Sequence, residues 1–135
     1  MNTKFLAALF STLFALGASS AAAAPTYPPI PAPGVQMKVV VSFGNASASL
    51  VPRFVTKLSN LQLNKESVIT ITGYVSKTSN SKADFALGLQ RAKNTQKTLL
   101  KFAPKNKYII LSKGSTFNAA CKLFKNRCSI ITIKS

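Results

Sequence analysis

Two cysteines, two carboxylates and an excess of lysines are the residues with chemistry to offer, and the chain has no histidine. Its 135 residues hold 18 Lys and Arg against 2 Asp and Glu, a formal charge of +16. Acid–base catalysis needs titratable groups placed against a substrate. Glu66 falls in a polar turn, however, and Asp84 follows Ser81 at a helix start, where S-x-x-D reads as a variant capping box. No serine lies in G-x-S-x-G or beside a triad base, so the reading is non-enzymatic, with no cofactor. Cys121 and Cys128 lack the histidine or second cysteine pair that would complete a metal site; they predict a disulfide in an oxidising compartment. The loop it closes would contribute about 2.5 kcal/mol in the chain-entropy account. So large a positive charge draws polyanions by releasing their counterions: cell-wall polymers, lipid headgroups or nucleic acid. Tyr74, Tyr108, Phe117 and Phe124 offer rings on which bases could stack, although no nucleic-acid-binding motif accompanies them. A solvated basic surface without a dedicated partner is the plain alternative.

These groups need a scaffold. Residues 1–24 read as an export signal, with Lys4 in the basic region, an apolar run over 5–17, small residues over 18–24 and cleavage near Ala24. An uncleaved membrane anchor is the competing reading, since residues 5–24 nearly suffice to span a bilayer. No cysteine follows the apolar run to carry a lipoprotein anchor. With only Lys4 in this segment, the remaining chain keeps 17 basic and 2 acidic residues, or +15. Residues 25–37, with Pro25, Pro28, Pro29, Pro31 and Pro33, read as an extended linker.

The rest alternates strand and helix. KVVVSF over 38–43 places Val39, Val41 and Phe43 on one face of a first strand. Leu50, Phe54, Leu58 and Leu61 then form a helical stripe, with Ser49 as candidate cap and Pro52 in the first turn. Residues 67–75 predict a strand with Ile69 and Ile71 on the same side. A polar loop leads to a helix opened by Ser81, lined by Leu87, Ala92, Leu99 and Phe102, and stopped by Pro104. Strands over 108–111 and 129–133 flank a loop with one helical turn near 119–124. Because the helices need their apolar faces for a core, a membrane-active basic helix fits poorly.

Residues 73–92, GYVSKTSNSKADFALGLQRA, join the second strand to the second helix. This stretch resembles the signature of the OmpA-like C-terminal domain, a bacterial peptidoglycan-binding module that reads G-x-x-D and then N-x-x-L-S-x-x-R-A. Gly73, Leu87, Arg91 and Ala92 match without a gap, while Ser76 stands where the family carries its ligand-binding aspartate. Ala48, Leu50 and Pro52 are similar to an A-x-L-x-P segment of the family, and Asn126 and Arg127 to its N-R-R-V-E-I entry into the last strand. The resemblance spans residues 38–135. It implies an α/β sandwich of order βαβαβ-β, with helices on one face of a mixed sheet.

It also implies a ligand. Family domains hold the diaminopimelate end of a peptidoglycan peptide between two charges, the aspartate taking the ammonium and the arginine the carboxylate. Arg91 would keep the second task, since a guanidinium fork grips a carboxylate through two parallel hydrogen bonds. Ser76 offers a hydroxyl without charge; losing a charge-assisted bond of about 1.5–3 kcal/mol weakens ammonium binding roughly ten- to 150-fold. Asp84 lies two helical turns from Arg91, about 10.5 Å along the axis, and its capping role accounts for it, so its substituting for the missing aspartate is the weaker reading. Lys77, with Lys82, Lys93, Lys97 and Lys101 nearby, would add a basic rim. The expectation is an exported protein of the cell envelope or exterior that binds peptidoglycan or anionic wall polymers with a strong electrostatic component. A polyanion- or nucleic-acid-binding protein with a disabled pocket is the alternative.

Overall fold

The computed structural model describes residues 36–135; the signal, its cleavage and nearly all of the linker lie outside them. Seven elements follow in order: β1 (Gln36–Ser42), α1 (Pro52–Ser59), β2 (Val68–Tyr74), α2 (Ser81–Leu99), β3 (Lys107–Gly114), a 3₁₀ helix (Ala119–Phe124) and β4 (Cys128–Lys134). The expected βαβαβ-β order holds. Strand β1 starts two residues earlier than expected and takes Gln36 and Met37 from the supposed linker, because both pair with β4.

The strands lie in the order β1-β4-β2-β3. β4 runs antiparallel to both neighbours, whereas β2 and β3 are parallel. A parallel pair needs a long crossover, and α2 supplies it. Alternation along the strands sends Val39, Val41, Ile69, Ile71, Ile131 and Ile133 to the face covered by the helices, where Phe54 and Leu58 of α1 and Ala92 and Leu99 of α2 complete the core. The opposite face carries a second cluster of Tyr74, Cys121, Cys128 and Ile130 beneath the 3₁₀ helix. Phe124 packs against both clusters and meets Phe54 edge to face at 5.9 Å.

The helix starts differ from the sequence reading in their chemistry. Pro52 does sit at the beginning of α1, but the cap position belongs to Val51, with no side-chain bond; the Ser49 amide donates instead to Ser47 Oγ. At α2 the cap is Asn80, whose Oδ1 accepts from the Ala83 amide at 3.0 Å. Ser81 is already inside the helix, so the proposed Ser81–Asp84 capping box does not form. Helix α2 ends at Leu99, five residues before Pro104, and Phe102 is exposed rather than packed.

Helix α2 crosses β2 at two glycines. A Cβ on Gly73 would overlap the carbonyl oxygen of Gly88, and one on Gly88 would press on Ser112 Oγ at 2.5 Å. Backbone thus rests on backbone, and α2 lies close enough to the sheet for its side chains to reach the strand ends. Beside this contact the β2–β3 register slips between Gly73 and Tyr74, with Gly114 in the left-handed region at φ 54°.

Candidate functional site

The ends of β1 and β2, the loop entering β4 and the first half of α2 converge on one cavity of about 180 Å³. Asn45 and Ala46 follow β1; Val75, Ser76, Lys77 and Thr78 follow β2; Asp84, Leu87 and Arg91 come from α2; Arg127 precedes β4. Arg91, Ser76 and Lys77 therefore share a site.

Arg91 is 1% exposed, among the largest fully buried side chains. No carboxylate neutralises it by contact. Its Nε donates to Ser47 O at 2.8 Å, one terminal nitrogen to Tyr74 O at 2.9 Å and the other to Gly44 O at 3.1 Å. The guanidinium also stands 5.3 Å from the Phe43 ring centroid, a cation–π distance. Burial, and then the charge of Arg127, lower its pKa to about 10, so it remains protonated at neutral pH. A guanidinium carries five N–H groups. Three bind the backbone here, so two remain without a backbone acceptor.

Two of these bonds, to Gly44 and Ser47, fix the loop between β1 and α1, and the one to Tyr74 ties it to the end of β2. Asn94 Nδ2 adds a third bond to the loop, to Ala48 O at 2.8 Å. Within the loop Ala46 adopts φ 50°, a strained conformation for a residue with a Cβ, and Ala46 lines the cavity. Arg91 is thus both a post that holds the rim and a charge beneath it.

Asp84 lines the same cavity. Seven residues on one helix return to nearly the same face, so axial separation did not remove it from Arg91's surroundings. Its carboxylate is committed to Thr78: the hydroxyl donates to Oδ1 at 2.6 Å and the amide to Oδ2 at 3.0 Å. The hydroxyl first, and the amide second, hold this carboxyl below the usual carboxylate range; the charge of Lys77 is a smaller cause in the same direction. Ser76, half-buried, donates its hydroxyl to the Lys125 carbonyl, joining the β2–α2 loop to the loop before β4.

Arg127 is a site residue that the sequence reading treated only as a strand entry. Its Nε is buried and has no hydrogen-bond partner among the described residues. A buried donor of this kind is costly unless an acceptor arrives. Its neighbour Asn126 carries the architecture: Nδ2 donates to Val75 O at 2.8 Å and Thr116 O at 3.0 Å, while Oδ1 accepts from the Asn118 amide at 3.1 Å. The only prior signal for either was the Asn-Arg pair itself.

The predicted disulfide joins Cys121 of the 3₁₀ helix to the first residue of β4, Cys128, with Cα atoms 5.9 Å apart. The five lysines of the proposed rim, at 77, 82, 93, 97 and 101, are all exposed. The candidate stacking rings are mostly occupied elsewhere. Tyr74 is buried with its hydroxyl accepting from Asn118, Tyr108 donates to Ala103 O, and Phe124 is packed; only Phe117 is freely exposed.

Among solved structures the fold has counterparts. The peptidoglycan-associated lipoprotein of Burkholderia pseudomallei superposes with a TM-score of 0.56 at 18% identity, covering 70% of this chain and 89% of that one. The fold is OmpA-like. The OmpA-like domain of FopA1 from Francisella tularensis gives 0.52 at 14% identity, over 72% of this chain and 71% of its own. The C-terminal domain of Helicobacter pylori MotB gives 0.53 at 20%, over 70% and 83%. No sequence-family profile matches the chain, and neither does any curated protein sequence. The OmpA-like likeness therefore rests on backbone topology.

Proposed function

We propose that this OmpA-like domain is an exported, non-enzymatic module that binds peptidoglycan noncovalently through the Arg91 cavity. Selectivity for diaminopimelate is weakened, and the general positive charge contributes much of the attraction. One observation carries the reading. Arg91, Arg127 and Lys77 face a cavity whose single carboxylate, Asp84, is already satisfied by Thr78. Such a cavity favours an incoming carboxylate: Arg91 has N–H groups to spare, and the buried Arg127 Nε lacks an acceptor among the described residues. An ammonium finds less. Ser76 supplies no charge and spends its proton on Lys125 O. The disulfide accords with an oxidising compartment, hence with the cell envelope or exterior.

Arg91→Ala would confound binding with folding, because three carbonyls lose their donor. Arg127→Gln is the cleaner probe. It should reduce retention on purified sacculi by about tenfold or more through loss of a charge-assisted bond. Soluble wall peptide with a free carboxylate should displace the parent protein. Retention equal for both proteins and abolished by DNA alone would instead favour a general polyanion binder.

A further inference from the structure

The loop between β3 and β4 presents two bare apolar side chains, Phe117 at 66% and Leu123 at 92% exposure. They are not loose. The bridge from Cys121 to Cys128 closes the base, Asn126 ties the segment to Val75 and Thr116, and Asn118 caps the 3₁₀ helix by accepting from the Ala120 amide at 2.9 Å. A fixed loop therefore holds both side chains in water, where covering them with an apolar phase is favourable.

Around them the charge has one sign. Phe117 lines a shallow cavity of about 380 Å³ with Lys77, Lys122 and Lys125, and Lys122 directly precedes Leu123. The two acids of the chain, Glu66 and Asp84, lie outside this loop. A soluble polyanion would answer the lysines yet leave Leu123 exposed. An apolar protein groove would cover Leu123 and bury lysines without a partner. A surface with negative headgroups above hydrocarbon satisfies both, with lysines at the headgroup level and the apolar tips just below.

We infer that this loop is an anionic-lipid docking tip, which inserts Phe117 and Leu123 into the interface while Lys122 and Lys125 meet phosphate. It adjoins the Arg91 cavity, with Lys77 on the rim of both, but its apolar tips and Lys122 and Lys125 lie outside that cavity, and it does not depend on wall binding. The chain has no tryptophan, so Leu123→Trp installs a sole indole reporter at the tip. With vesicles of phosphatidylcholine and phosphatidylglycerol its emission should shift to the blue and be quenched by brominated acyl chains; with phosphatidylcholine alone it should stay unchanged. In co-sedimentation, Phe117→Ser combined with Leu123→Ser should lower affinity for the anionic vesicles by about tenfold or more. Both residues are solvent-exposed, so the fold should survive. An unshifted indole, a shift reproduced by DNA, or a double variant that binds vesicles like its parent would each overturn the inference.

Discussion

At the scale of single residues, the cavity depends on where protons are held. Asp84 has a folded pKa below its unfolded value because Thr78 donates twice to the ionised form. The resulting stability is fully present above the unfolded pKa, about 4, and is lost as pH falls through the folded value. Asp84→Asn should therefore lower the urea midpoint at neutral pH and flatten its decline on acidification. Parallel pH profiles for the two proteins would contradict this account. Arg91 shows what a sequence leaves unread. Its match to a motif suggested a side chain offered to a ligand, yet most of its hydrogen bonding is internal. The acceptors come from Gly44, Ser47 and Tyr74, which lie 47, 44 and 17 positions away. No local pattern encodes them.

Elements were more legible, because each rests on periodicity and one buried face. Ile69 with Ile71, and Phe54 with Leu58, lie in the core as their spacing requires. Caps were less so: Asn80 and Ser81 are adjacent and chemically similar, and only the Ala83 amide decides between them. Gly73 illustrates the third case, a residue conspicuous in sequence whose reason is tertiary. Gly73→Ala would drive a methyl group into the Gly88 carbonyl and force α2 off the sheet. It should cost about 3 kcal/mol or more and lower the thermal midpoint by roughly 10 °C or more. Thermal unfolding monitored by circular dichroism tests this directly; a midpoint near that of the parent would show that α2 can shift freely. The same movement would displace Arg91 and Asp84, so the glycine contact and the cavity share one constraint.

For the whole molecule, charge is the dominant property. Eighteen basic residues against two acids repel one another, and the exposed lysines of α2 add to the field around the cavity. That field reaches about 10 Å at 0.1 M salt and about 3 Å at 1 M. Retention on sacculi should therefore weaken steeply with salt toward a residual, set by short-range contacts in the cavity. A flat salt profile would assign binding to the cavity alone.

The seven register pairs of β1 and β4 have a mechanical consequence. Gln36, where the N-terminal segment joins the sheet, lies at one end of β1, and the cavity lies beyond Ser42 at the other. A load carried between those points runs along the strand. It strains the rungs of the ladder together, in shear, instead of opening them one after another like a zip. If the cavity holds a wall polymer as proposed, a pull on that polymer would meet the sheet in this resistant direction.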